Sequence, residues 1–311
     1  MYAISRILLG AFALAGLLHS ALTAMAQGPM PEDGATLFPH GAFISYSSIF
    51  TSNGFVSGAM PRIDGVIHPT FEHEIPLTAS WSFRRDFQLT TVVPFVHRQW
   101  NVNDSEQSAT GMGDMSFSLK YRFLRLDSPR GTTQASFSAG PKLPTGKTDA
   151  SGLGGTVLAP ELQPGTDSTD WFFNLSATYT GLFNLRRLVA DPSFTYRLRT
   201  EGDQGWQRGD EMESRLWIHY RPLQTALVGG EWFIGPDVHW RHAAPNKLAN
   251  VHQKGTGSDI VTAGLTSYIS PRGGLVFWAS LEFPVWQEWN GAGYEQRRRL
   301  NFGVTKQFVL R

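Results

Sequence analysis

Few residues of this 311-residue chain are spaced for catalysis or for holding a cofactor. The run GPKLPTGKT at 140–148 comes nearest to a phosphate-binding loop, but five residues separate Gly140 from Gly146 where that loop has four. No helix-forming run follows to offer its N-terminus to a phosphate. A G-x-S-x-G serine elbow is absent, though a lipid hydrolase built on a barrel does not need one. His239 and His242 stand three apart, which on a strand sends them to opposite faces and argues against a shared metal. The sequence therefore calls for no cofactor and no metal. What remains is a set of charged and aromatic side chains at one parity of alternating segments: Glu72, Glu74, Arg98, Lys120, Arg122, Lys142, Arg197, Arg215 and Glu231, with Phe172, Trp217 and Trp278. Their chemistry is that of a wet surface with stacking faces, suited to a small solute rather than to bond making.

The segments that carry these residues are strands. Over 115–123, Met115, Phe117, Leu119, Tyr121 and Phe123 alternate with Ser116, Ser118, Lys120 and Arg122, a period of two with one apolar and one polar face. The same pattern predicts about twelve strands, at 41–50, 68–82, 85–100, 113–125, 132–143, 169–181, 187–199, 210–221, 226–240, 259–270, 274–286 and 297–310, with no sustained helical period. Short turns alternate with long loops at 51–67, 101–112, 144–168, 200–209, 241–258 and 287–296. That rhythm, and strands longer than the ~5–6 residues of soluble sheets, predict an all-β, antiparallel, up-and-down transmembrane barrel. With the apolar parity outward, the charged parity faces the lumen, since Arg or Lys at the midplane of lipid costs about 2–4 kcal/mol. Aromatics at outward positions near strand ends, such as Trp81, Trp171, Tyr179, Tyr196, Trp240 and Phe283, suit the two interfaces with water.

Composition agrees. Hydrophobic residues make up 41% and aromatics 13%, while charged residues are only 17%, the mixture expected when lipid-facing and lumen-facing positions alternate. A net charge of +1 gives no footing for nucleic acid. Arg6, the apolar run at 7–18 and the small residues Ala24 and Ala26 read as a signal peptide over 1–26. A periplasmic leader at 27–40 and a barrel domain at 41–311 follow. The absence of cysteine removes a disulfide framework and a lipid-modified Cys.

One ordered set of motifs goes further. Gly111, Gly113 and Asp114 lead into Lys120-Tyr121-Arg122; then come Lys142, Pro144 and Gly146, then Gln163, Pro164 and Gly165 before Asp170. The set resembles the family of outer-membrane transporters associated with the meta-pathway of phenol degradation. The resemblance implies a Gram-negative outer-membrane barrel that takes up small hydrophobic or aromatic compounds passively, with outer-membrane lipid, the solute and the barrel-assembly machinery as partners. Outer-membrane barrels commonly end on an aromatic that the machinery reads; here Phe308 stands three residues before Arg311. Two other readings stay open: a closed structural barrel whose external loops bind a surface partner, and a barrel lipid hydrolase.

Overall fold

The computed structural model describes residues 35–310 except 38, 56–61, 64–65, 68–69, 103–104, 130, 153–154, 186, 203–204, 223–229, 272 and 291–293. The signal peptide and most of the leader thus lie outside the described residues. Thirteen hydrogen-bonded segments form the main sheet, and Ser105–Met112 and Ser116–Ser128 are two pieces of one strand, which gives twelve strands. In chain order they are β1 (Gly41–Phe55), β2 (Phe71–Arg84), β3 (Phe87–Val102), β4 (the two pieces just named), β5 (Gly131–Lys142) and β6 (Asp170–Thr180). The second half holds β7 (Leu188–Leu198), β8 (Glu211–Tyr220), β9 (Glu231–Ala243), β10 (Ser258–Ser270), β11 (Leu275–Trp289) and β12 (Tyr294–Val309).

Every strand pairs antiparallel with its neighbours in sequence, and β1 pairs with β12 from Gly41↔Val309 to Phe55↔Tyr294. The sheet is therefore a closed up-and-down barrel. Closure leaves no strand edge, which is how a sheet satisfies its backbone groups in a bilayer.

Alternation sorts the two faces. Leu119, Tyr121 and Phe137 point outward and are exposed, while Lys120, Arg122, Gln134, Ser136 and Ser138 from the same strands are buried in the interior. The outward aromatics Trp81, Trp171, Tyr179 and Phe283 are exposed on that face. The lumen is a polar core: Ser, Thr, Gln and Asn layers bond across strands, as in Ser80–Thr90 at 2.8 Å and Ser136–Ser176 at 3.0 Å.

Three boundaries differ from the sequence pattern. β4 begins at Ser105, inside the stretch expected to be a long loop at 101–112, so only 103–104 link it to β3. β1 continues to Phe55, and β11 and β12 extend to Trp289 and back to Tyr294, which shortens the loops expected at 51–67 and 287–296. These extensions, such as SEQSATGM in β4, carry no apolar alternation because above the bilayer neither strand face meets lipid. Part of the expected start of β9 at 226–240 falls on residues outside the described set. Outside the barrel, Trp206–Gln207, Lys247–Leu248 and Val251–His252 form a small three-stranded external sheet.

Candidate functional site

The external mouth is built by the motif residues. Asp114 sits in the break between the two pieces of β4, a backbone irregularity that turns its carboxylate toward the loop at 143–169. Its Oδ1 accepts the Gly146 amide at 2.9 Å; its Oδ2 accepts the Thr166 amide at 2.9 Å, the Thr166 hydroxyl at 2.5 Å and Lys142 Nζ at 2.8 Å. Burial alone would raise the Asp114 carboxyl, but the bonds from Lys142 and Thr166 and the lysine charge hold it below its ordinary value. Gly146 and Gly165 pass so closely that a Cβ on Gly165 would lie 2.6 Å from the Gly146 carbonyl carbon. Pro144 lies in the bend that ends β5, and Pro164 packs by Gly111, where a Cβ would lie 3.1 Å from its ring. A Cβ on Gly113 would lie 3.0 Å from the Pro94 ring.

Gln163 closes the other side of the loop. Its amide bonds both backbone groups of Ala150, at 2.9 and 3.1 Å, and the Leu158 carbonyl at 3.0 Å, while Arg98 donates to its backbone carbonyl. Leu162 and Ala150 of the loop pack on Trp100 of β3 and Ala109 of β4. The longest loop is thus folded inward onto the lumen wall.

Below this mouth runs a belt of alternating charge. Lys142 also meets Asp170 at 3.0 Å; Asp170 meets Arg199 at 3.0 Å; Arg199 meets Glu211 at 2.9 Å; and Arg197 meets Glu213 at 2.7 Å. Arg215 pairs with Asp237 and, at 3.2 Å, with Glu282. On the opposite wall Arg98 meets Glu72 at 3.1 Å. Arg208, from the loop between β7 and β8, is drawn down to about 10 by burial and by the cations Arg98 and Arg199, against the pull of Glu72 and Asp170, so it stays charged at neutral pH.

The belt borders a cavity of about 290 Å³. Ile49, Ile260 and Trp289 give it an apolar side; Thr51, Asn53, Thr262 and Gln296 give it hydroxyls and amides. Glu72, Glu74, Glu213 and Glu282 face Arg241, Arg299 and His239 across it. Of the residues expected to line the solute pathway, Glu72 and Glu74 border this cavity. Arg98, Lys142, Arg197 and Arg215 stand in the belt around it, and Phe172 sits at an inward position of β6. Arg241 and Arg299 are not singled out in the sequence, and His239 is weighed there only as a metal ligand, although their inward parity marks them.

Among the described residues, the opposite end of the barrel, where the first and last strands begin and end, is tightly packed. Trp217 packs with Phe233, Tyr268 and Val276, with Trp278 and Val189 against them, and Arg215 lies 5.5 Å over the Trp217 ring. Asp191 accepts from Thr178 at 2.6 Å and lies 2.7 Å from His219 Nε2. Arg122 is held by Asp86 at 2.6 Å and by Gln134 at 2.7 Å, and Lys120 donates to the Ala35 carbonyl at 3.3 Å. Ala35 and Thr36 are buried at this end, with Thr36 donating to the Arg85 carbonyl and Leu37 to the Gln88 side chain. Glu231 stands at the rim, paired with Arg221 at 3.1 Å.

On the outward parity, His73 Nε2 lies 2.7 Å from Ser48 Oγ, with the Phe50 ring stacked on the imidazole at 4.0 Å. Ser48 is only 2% exposed and the imidazole is backed by a ring rather than a carboxylate, which is not the arrangement of an activated nucleophile. His239 faces Glu213 inside the barrel and His242 meets Asp259 at 2.9 Å on the other face.

A family model described as "Putative MetA-pathway of phenol degradation" matches residues 66–293. Among solved structures, an outer membrane channel from Pseudomonas putida F1 is similar at 14% identity and a TM-score of 0.59, over 90% of this chain and 100% of that one. The β domain of the Bordetella autotransporter BrkA gives 10% identity and 0.49, over 86% and 100%. The toluene transporter TodX of P. putida gives 9% and 0.40, over 88% and 91%. No curated protein sequence matches the chain.

Proposed function

Because the chain belongs to the MetA-pathway of phenol degradation family, we propose that it is an outer-membrane channel for the passive uptake of small aromatic compounds. One observation carries the reading: a closed barrel with an apolar exterior keeps, inside a polar lumen, a cavity of about 290 Å³. That volume is at the small end of ligand pockets, which run from ~300 Å³, so it suits a single-ring solute. Ile49, Ile260 and Trp289 offer the ring an apolar side, and the charged belt offers its substituents partners. Glu72, Glu74, Arg98, Lys142, Arg197 and Arg215 are assigned to the solute pathway, with Lys120, Arg122, Trp217 and Trp278 at its periplasmic exit.

The folded-in loop at 143–169 and the buried residues Ala35 and Thr36 favour a second reading, a closed barrel whose external loops do the work. Planar-bilayer conductance and liposome swelling with phenol-sized solutes separate the two. Discrete single-channel currents and swelling support the channel. Folded protein that gives neither leaves the closed barrel.

A further inference from the structure

The charges around the cavity are not evenly satisfied. Glu72 is engaged by Arg98, Glu213 by Arg197, Glu282 by Arg215, and Arg241 lies 3.9 Å from Glu211. Among the described residues, Glu74 and Arg299 line the same cavity with no salt bridge and no hydrogen bond of their own, although the Arg299 charge still acts on Glu282 and Glu74 from a distance. Their places in the sheet explain why they do not meet. Glu74 is on β2, opposite Ile49 of β1, and Arg299 is on β12, opposite Thr51 of β1. One strand separates them, so their backbones stand about 10 Å apart at ~4.8 Å per strand, with a two-residue offset in addition. The acid opposite Arg299 in register on the other side, Glu282, is already bonded by Arg215, Thr262 and Ser280.

A carboxylate and a guanidinium that no direct contact engages therefore flank one small cavity, which Thr51, Ile49 and Ile260 also line. We infer that the cavity is a binding site for a small zwitterionic solute on a single ring: its carboxylate pairs with Arg299, its ammonium with Glu74, and its ring rests against Ile49 and Ile260. A neutral ring gives neither group a direct contact. A singly charged ring matches one and leaves the other facing an apolar edge, which is the source of the discrimination. The inference deepens the channel reading and rests on the lumen that reading assigns to solute.

The test uses the full-length protein, folded in detergent, and four para-substituted single-ring probes of graded charge: 4-(aminomethyl)benzoate, 4-methylbenzoate, 4-methylbenzylammonium and 4-methylbenzyl alcohol. Calorimetric titration is expected to show the zwitterion binding about tenfold more tightly than the alcohol, the discrimination expected of two partly desolvated charge contacts. Glu74→Gln should bring the zwitterion level with the anion, and Arg299→Gln should bring it level with the cation, each variant first shown folded by its retained heat-modifiable mobility on gels. Equal binding of all four probes, or folded variants that both keep the preference, overturns the inference. Conductance is measured on the same preparations. Preferential binding without current sinks the channel reading and leaves this site standing; current without preference does the reverse.

Discussion

Replacing Asp114 with Asn tests whether one carboxylate holds the longest external loop in the mouth. Asp114 is nearly enclosed, its side chain 3% exposed, and it gathers Gly146, Thr166 and Lys142 through four hydrogen bonds. Asn has nearly the same shape but one acceptor oxygen, and its NH₂ turns a donor toward groups that are themselves donors. Hydrogen bonds to a charged group contribute about 1.5–3 kcal/mol each, and stranding one partner of a buried ion pair costs about 3–5 kcal/mol. Lys142 is not stranded, because Asp170 stays 3.0 Å away, so the loss is at the low end, about 3 kcal/mol. At ~1.36 kcal/mol per decade, that raises the opening equilibrium of the loop roughly 150-fold. Hydrogen exchange resolved by mass spectrometry on protein in detergent is the assay: amides of 143–169 should exchange roughly 100-fold faster while those of β7 to β12 keep their protection. Unchanged exchange in the loop, with the barrel equally unchanged, refutes the reasoning and leaves the contacts of Leu162 with Trp100 as what holds it.

Four other outcomes follow from the geometry. Gly165→Ala places a Cβ 2.6 Å from the Gly146 backbone and should destabilise the same loop by ~1–3 kcal/mol, seen as earlier proteolysis within 143–169 with the barrel intact. Leu175→Arg, at the middle of β6 on the outward face, should lower the folding free energy in lipid vesicles by about 2–4 kcal/mol in a urea titration. Because the Asp114 carboxyl is depressed from 3.8 in the folded state, its contribution to loop docking is full above that value and fades as pH falls through the lower folded one; loop protection factors, corrected for the intrinsic pH dependence of exchange, should be constant near neutrality and fall only in strong acid. Deleting the residues before Gly41 removes the Ala35 contact of Lys120 and should raise single-channel conductance, an increase absent if these residues do not narrow the exit.

How much of this was legible in the sequence depends on where lipid ends. Within the bilayer each strand has a wet and an oily side, so a period of two is imposed on it, and the sequence alone turns Lys120, Arg122, Arg197 and Arg215 inward. Beyond the bilayer that constraint vanishes. SEQSATGM pairs with β3 as regularly as any strand, from Phe95↔Met112 to Val102↔Ser105, yet shows no alternation, so its sequence reads as loop. The motif residues show a second limit. Their order marked them as a set, but not that Asp114, Gly146 and Thr166 meet at one carboxylate, because that contact depends on a strand break and on a loop doubling back. The cavity shows a third. Parity tells that Glu74 and Arg299 both face inward, but whether they neutralise each other is decided by register: with β1 between them they cannot approach as cross-strand partners do, whereas Arg197 and Glu213 sit on adjacent strands and do. Sequence periodicity thus reports which environment a side chain enters. Which charge it leaves unpaired is fixed only when the barrel closes, and there the specificity of the lumen arises.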